Sequence, residues 1–467
     1  TTGSGKSELL LTLIAGMGIK YDPRIVNFVL VDFKGGAAFE PFKKLPHCVD
    51  ILTNLQANAV ERMFTALQAV MEERAALLAR SGAKDLVDYR KKVVPRLGPD
   101  DPLPRTFPHL FIIVDEFAEM ITANPDYRAK FESVTRLGRA FGVTLILATQ
   151  RPSGVVTDQM RANMKFRICL RVETPDDSKE LLGRPDASFL PNIGGRGYIQ
   201  VGNDILTGVQ MARAGGDYSD ERTEVLRDVI WLDEESLSGA ADADSQPLYS
   251  SLEIAEALGL KPGDKPSTLV DWIVGITAVR ARRDGVPVQS KPWPDPLSEY
   301  LSLTEPIDAK YLNTERFINA NKTLVVSEAV SAWLKNTDDQ PLWKPVDWKA
   351  PPPLRADIGI VDNPYQAEQR LLTIDLSTDP VVLFGAAGRG KSTFVKTLLT
   401  ALAAARSPAE LHMYALDFGR GGLKAIKALP HLGASIDASE TARVDQLLRM
   451  LRNIVNVATV TSPGDTN

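Results

Sequence analysis

One segment of this chain occurs twice, and each copy opens on a phosphate-cradling loop. The first loop is Thr2-Gly3-Ser4-Gly5-Lys6-Ser7, the second Gly385-Ala386-Ala387-Gly388-Arg389-Gly390-Lys391-Ser392-Thr393. In both copies 26 residues separate the loop lysine from an aspartate that ends an apolar run. These are Lys6 and Asp32 of Leu30-Val31-Asp32-Phe33, then Lys391 and Asp417 of Ala415-Leu416-Asp417-Phe418. A glycine pair (Gly35-Gly36, Gly421-Gly422) and a Leu-Pro-His triplet (Leu45-Pro46-His47, Leu429-Pro430-His431) follow each time. Loop, spacing and tail together do not recur by chance. The chain carries tandem copies of one nucleotide-binding domain.

The loop pattern restricts each copy to α/β architecture, because it works only between a strand and a helix. Its glycines let several N–H groups point at phosphate, where the helix dipole adds positive potential. Lys6 or Lys391 supplies charge to the outer phosphates of ATP, and the hydroxyl of Ser7 or Ser392 ligates Mg2+. In the second copy Val381-Val382-Leu383-Phe384 is expected as the strand entering the loop, and Phe394–Leu399 leaves it at helical spacing. The first copy begins inside its loop: the pattern calls for a Gly and a feeding strand before Thr1. The N-terminus therefore reads as a trimmed boundary, from which no signal peptide can be judged. The second copy stops at Asn467 before an acidic strand appears, so its end reads as cut as well.

The first copy contains the rest of a hydrolytic site. Pro108 to Val114 is an apolar run that ends in Asp115-Glu116, as a strand buried on both faces does. Asp115 is expected to hold the Mg2+ shell and Glu116 to act as general base toward water. A second such run, Phe141 to Ala148, ends in Thr149-Gln150, where open parallel sheets bind ligands. Gln150 is either a sensor of the γ-phosphate or a strand cap. Arg139 is the first candidate for an arginine finger acting on a neighbouring subunit, with Arg136 second and Arg167 and Arg171 as further possibilities.

With 467 residues and 44 % hydrophobic content, about three domains are expected. No apolar run reaches the ~20 residues of a membrane span, so any attachment lies outside this segment. A net charge of −5 argues against a broad nucleic-acid-binding surface. Cys48 and Cys169 have neither metal spacing nor a disulfide framework, which fits a reducing cytosol. His47 and His431 occupy equivalent repeat positions, which favours a structural role.

These motifs, in this order, resemble the FtsK/SpoIIIE family of motor ATPases over residues 1–213. The tandem arrangement is most similar to the ATPases of bacterial type VII secretion, EccC and EssC. That narrower likeness rests on Leu30–Gly36 with Leu45-Pro46-His47, on Leu181–Ala187 with Gly195–Gly202, and on Ile358–Pro364 with Leu416–Gly419. The resemblance implies tandem RecA-like P-loop domains behind a membrane-anchored N-terminal portion, at the cytoplasmic face of the cell membrane. It implies a ring, most often a hexamer, that hydrolyses ATP and drives export of small helical WXG-type proteins with other membrane components of the system. The first domain is typically hydrolytic and later ones regulatory. Here the second loop is intact, unlike the degenerate later loops of some relatives. A DNA translocase or conjugative coupling ATPase of the same superfamily is the alternative; acidic balance and tandem motors count against nucleic acid.

Three regions are expected: a first ATPase domain over 1–215, a connector over 216–349 and a second ATPase domain over 350–467. Within the connector, Ser236–Ser251 reads as a loop and Thr268–Arg283 as a helix with Leu269, Ile273, Ile276 and Val279 on one face. Proline-rich passages around Trp293, and from Trp343 to Pro353, read as semi-rigid spacers. Trp293, Trp343 and Trp348 either pin the connector to an ATPase domain or fill a local core. If the connector docks on the first domain, the second can restrain the first, and deleting 216–467 should raise turnover.

Overall fold

The structure, a computed structural model, describes residues 3–33, 38–53, 59–105, 107–151, 154–202, 206–216, 249–261, 264–287, 289, 291–307, 324–336, 341–343, 353–377, 380–419 and 421–461, the last five by backbone alone. They form two compact units: Thr1–Trp293 with Pro364–Gln366, and Pro294–Asn363 with Ala367–Asn467.

In chain order the first unit contains α1 (Lys6–Lys20), β1 (Val26–Asp32), β2 (Cys48–Thr53), α2 (Ala59–Ser81), the single turn α3 (Leu86–Asp88) and β3 (His109–Asp115). Then come α4 (Phe117–Ala123), α5 (Tyr127–Leu137), β4 (Val143–Leu147), α6 (Asp158–Asn163), β5 (Phe166–Leu170) and α7 (Pro175–Leu182). β6 (Arg196–Val201), β7 (Thr207–Gln210), α8 (Ser251–Leu258) and α9 (Leu269–Arg283) complete it. The central sheet is parallel, in the order β2-β1-β3-β4. A second, antiparallel sheet runs β5-β6-β7.

All seven residues of β1 are buried, because successive side chains point to opposite faces and both faces are covered. Val29 and Val31 join Ile112 and Val114 in a core that includes α2, α4 and α5. Phe28, Leu30 and Ile113 face the other way, onto α1 and α9. Two arginines, Arg74 buried and Arg90 half-buried, clamp the opposite end of the sheet from Asp115. Arg74 donates to the carbonyls of Phe141, Gly142 and Pro108, and Arg90 to those of Ile25 and Phe107.

The helix expected over Thr268–Arg283 is α9, with Thr268 and Asp271 forming a reciprocal capping box. One apolar face is too narrow a description. Val270, Ile273 and Val274 enter the core under β1, while Trp272, Ile276 and Val279 pack with Ile254 of α8. Gly275 permits that contact, since a Cβ there would meet Ile254 Cγ2 at 2.4 Å. Trp293 is 3 % exposed in the core beside β1 and donates its indole N–H to Asp50 at 3.0 Å. The described residues between 249 and 293 thus belong to the first unit. Of the connector expectations, the loop over 236–248 and Trp348 lie outside the described residues.

The second unit comprises α10 (Glu328–Leu334), the antiparallel pair β8 (Arg355–Asn363) and β9 (Glu368–Asp375), α11 (Lys391–Ala405), the parallel pair β10 (Met413–Asp417) and β11 (Leu432–Asp437), and α12 (Thr441–Thr461). The internal repeat extends to its irregularities. The register between β1 and β2 slips at Phe28/Val29, and that between β10 and β11 at Met413/Tyr414. His47 contacts the carbonyl of Tyr21 at 2.6 Å, and His431 that of Arg406 at 2.6 Å. Tyr21 and Arg406 are the residues that end α1 and α11. Trp343 donates to the carbonyl of Ala403 within α11 and stacks edge-on to His431.

The expected strand Val381–Phe384 is not formed. Its side chains are exposed, Phe384 by 89 %. A strand exists only where a neighbour takes its backbone hydrogen bonds. Among the described residues β10 pairs with β11 alone, and no counterparts of β3 and β4 complete that sheet.

Candidate nucleotide site

The first loop ends in Gly5, in the left-handed region at φ 96°, and Lys6 opens α1. Directly beside it, β3 ends in Asp115. Lys6 Nζ lies 2.6 Å from Asp115 Oδ1 and 2.7 Å from Glu116 Oε2. Asp115 and Glu116 are 5 % and 2 % exposed, so the three charges interact in a poorly hydrated setting, where pairing is needed to offset desolvation.

Glu116 has φ 60° and ψ 46°, a left-handed conformation rare for residues with a side chain. It costs on the order of 1 kcal/mol and is held by its neighbours. Glu116 Oε1 accepts from the Gln150 backbone N–H at 2.8 Å and from Thr149 Oγ1 at 3.2 Å. The Thr149-Gln150 pair thus meets Glu116, through the Gln150 main chain and the Thr149 hydroxyl. Thr149 was not singled out from sequence; its position next to Gln150 at the end of β4 was the available signal.

Two further contacts brace the loop. The Gly195 N–H donates to the Ser4 carbonyl at 2.9 Å, and a Cβ on Gly5 would meet Gly195 N at 2.6 Å. Glu8 of α1 accepts from the Gly215 N–H at 3.1 Å. Only a side-chain-free residue at 5 lets the 194–195 turn approach so closely. The sequence quoted Gly195 as a family marker, without this reason.

Arg136, in the last turn of α5, and Arg139, between α5 and β4, are exposed, at the opposite end of that strand from Gln150. Arg139 nevertheless lines the same cavity as Lys6 and Gln150. Arg167 donates to the Gly202 and Leu181 carbonyls. Arg171 borders a cavity of about 610 Å3 between β4 and β5. Leu9, Leu13, Leu145, Leu147 and Ile168 make much of its wall apolar, while Ser4, Lys6, Thr149 and Gln150 of the candidate site also line it. Burial pushes the Cys48 and Cys169 thiols up to about 12, so neither is a thiolate nucleophile at neutral pH.

The second loop repeats the left-handed glycine before its lysine, with Gly390 at φ 85° and Gly388 at φ 75°. Lys391 Nζ turns back to the carbonyls of Gly385 (2.5 Å) and Ala386 (2.8 Å). The span Gly385–Gly390 is exposed, as are Ser392 and Thr393.

The donor sets suit a magnesium-bound nucleotide. Neither α1 nor α11 has a side-chain cap, so their first N–H groups can serve phosphate oxygens. A Cβ at Gly3 or Gly388 would meet nothing within 4 Å. Mg2+ characteristically takes one or two protein oxygens plus phosphate and water. Ser7 with Asp115 would supply these in the first copy, and Ser392 one in the second. Among the described residues no group of three or more His, Cys, Asp or Glu could chelate a metal unaided.

The profile of the FtsK/SpoIIIE family matches residues 1–154 and 344–458, more than half of the chain and both loops. The chain belongs to the FtsK/SpoIIIE family. Within it, this member is 30 % identical over 469 residues to the type VII secretion system protein EssC of Staphylococcus aureus strain MRSA252. That match covers 98 % of the chain and 28 % of the relative. It is also 30 % identical over 461 residues to the ESX secretion system protein EccC of Geobacillus thermodenitrificans, covering 97 % and 27 %. The chain therefore spans about a quarter of the length of these relatives. The cytoplasmic domain of the type VII secretion ATPase EccC from Thermomonospora curvata superposes with a TM-score of 0.61 at 30 % identity, over 95 % of this chain and 43 % of that one. The second and third ATPase domains of the same EccC, in complex with a signal sequence peptide, match at 0.53 and 16 % identity over 99 % and 64 %, a likeness of fold. Both units are thus RecA-like P-loop domains in tandem. Among the described residues no helix is long and apolar enough to cross a membrane.

Proposed function

We propose that this FtsK/SpoIIIE-family chain is part of a type VII secretion motor, in which the first unit hydrolyses ATP and the second binds nucleotide and regulates it. The contact of Lys6 with both Asp115 and Glu116 carries this reading. Hydrolysis requires a charge for the outer phosphates, a magnesium ligand and a base within reach of one another. Bound Mg2+ would neutralise phosphate charge, with Ser7 and Asp115 as its protein ligands. Lys6 turns from the carboxylates to the phosphates. Glu116, released from Lys6 and still held by Thr149 and the Gln150 N–H, then accepts a proton from the attacking water at Oε2. Gln150 orients that water or reports the γ-phosphate. Arg139, exposed just before β4, is proposed to serve a neighbouring subunit in a ring, taken to be a hexamer.

Relatives named as secretion-system proteins support secretion as the work done; the proposal extends this to small helical WXG-type cargo, at the cytoplasmic face of the membrane and with other components of that machinery. Glu116→Gln in the full-length protein tests the hydrolytic assignment. Nucleotide binding should persist while ATP turnover falls at least a hundredfold; unchanged turnover would sink the motor reading. Turnover stimulated by double-stranded DNA would instead favour a DNA translocase.

A further inference from the structure

The glycine pair shared by the two copies has no part in the site as described above. In the second copy, Asp417 at the end of β10 closes the loop that carries it. Its Oδ1 accepts the Gly419 N–H at 3.1 Å and its Oδ2 the Leu423 N–H, six residues on, at 2.9 Å. The loop so closed brings Gly422 onto the P-loop: a Cβ at Gly422 would lie 2.9 Å from Ser392 Oγ and 3.3 Å from Ser392 Cβ. In the first copy Asp32, 3 % exposed and paired in register with Asp115, accepts the Ala38 N–H, also six residues on, at 3.1 Å.

We propose that Asp417 and Gly422 are positioning residues for the metal-binding hydroxyl of Ser392. The physical argument is steric and then electrostatic. Ser392 is exposed and its hydroxyl would otherwise rotate among three staggered positions. The missing side chain at Gly422 leaves Oγ its place on the side facing the loop, which a Cβ there would crowd at 2.9 Å. Asp417 fixes that loop by satisfying two N–H groups with its two carboxylate oxygens, as outer-shell groups orient metal ligands elsewhere. This explains why an aspartate recurs 26 positions after each loop lysine with a glycine pair within the next five residues. The inference rests on the reading that the second loop takes magnesium-bound nucleotide.

The test uses the full-length protein and a fluorescent, non-hydrolysable ATP analogue. The second site's signal is the part of binding lost on Lys391→Ala. Mg2+ is titrated at fixed analogue, and analogue affinity is measured separately in EDTA. Gly422→Ala and Asp417→Asn should each weaken the apparent Mg2+ affinity of the second site about tenfold, with affinity in EDTA and the thermal midpoint unchanged. Gly422→Ser should do no better than Gly422→Ala. Wild-type Mg2+ dependence in both variants overturns the positioning role alone, and so does an equal loss with and without Mg2+, which marks a purely structural loop. Absence of any signal sensitive to Lys391→Ala overturns the nucleotide reading and this inference with it.

Discussion

Lys6 Nζ lies 2.7 Å from Glu116 Oε2, so the lysine that serves phosphate and the carboxylate that serves water share one ion cluster. Together with Asp115 the cluster carries two negative charges and one positive, nearly out of contact with solvent. Removing the lysine leaves two buried carboxylates facing each other. Lys6→Ala should destabilise the first unit by ~3 kcal/mol, the range for breaking a buried pair. Adding Glu116→Gln should recover ~1 kcal/mol or more through coupling between neighbours. Urea unfolding of the two single variants and the double gives the cycle, and strict additivity would dissolve the cluster as an energetic unit.

Thr149 reaches Glu116 by a hydroxyl hydrogen bond of 3.2 Å. Thr149→Val keeps the shape and removes the donor. Hydrogen bonds to charged groups contribute ~1.5–3 kcal/mol, so kcat for ATP should fall about tenfold, with nucleotide affinity little changed. An equal rise in Kd would mean that Thr149 supports binding instead.

Trp293 and α9 make the boundary of the first unit a packing question. Trp293→Ala removes a buried indole and its bond to Asp50, and should cost ~3–5 kcal/mol. By the same reasoning a chain ending at Trp293 should unfold cooperatively, whereas one ending at Gly215 exposes the face of β1 that α9 covers and should not. Deleting 216–467 therefore tests folding before it tests regulation. Removal of 294–467 is the cleaner measure of restraint by the second unit: turnover should rise if that unit is inhibitory.

Burial lowers His47 and His109 to about 4 each, so both are neutral in the fold and protonate more readily once it unfolds. Their contribution to stability is fully present above the unfolded value near 6.5 and is lost as pH falls toward 4. For His47, wholly buried, the loss amounts to ~3 kcal/mol at most. Thermal midpoints of the first unit should drop across that window, and His47→Gln should flatten the slope. A midpoint indifferent to pH between 6.5 and 4 would count against neutral burial.

Much of this molecule was legible because its constraints are local. The loop glycines, the spacing to Asp32 and Asp417 and the apolar run into Asp115-Glu116 each follow from backbone geometry over a few residues. The repeat then doubled the signal. What remained hidden depends on residues distant in sequence. The expected strand Val381–Phe384 has the right composition, yet a strand needs a hydrogen-bonding neighbour and none is supplied among the described residues. Trp293 could have served a spacer core or the ATPase core, and its bond to Asp50 decided the matter.

The sequence by itself determined that two phosphate loops of one kind are present and that the first is followed by Asp115, Glu116 and Gln150, because those patterns are set by turn and strand chemistry. Only the tertiary structure decided that Lys6 pairs with both carboxylates, that Thr149 bonds Glu116 and that Gly422 lies against Ser392. Such contacts depend on which strand ends meet across the sheet, and residues separated by a hundred positions carry no mark of each other in the linear chain.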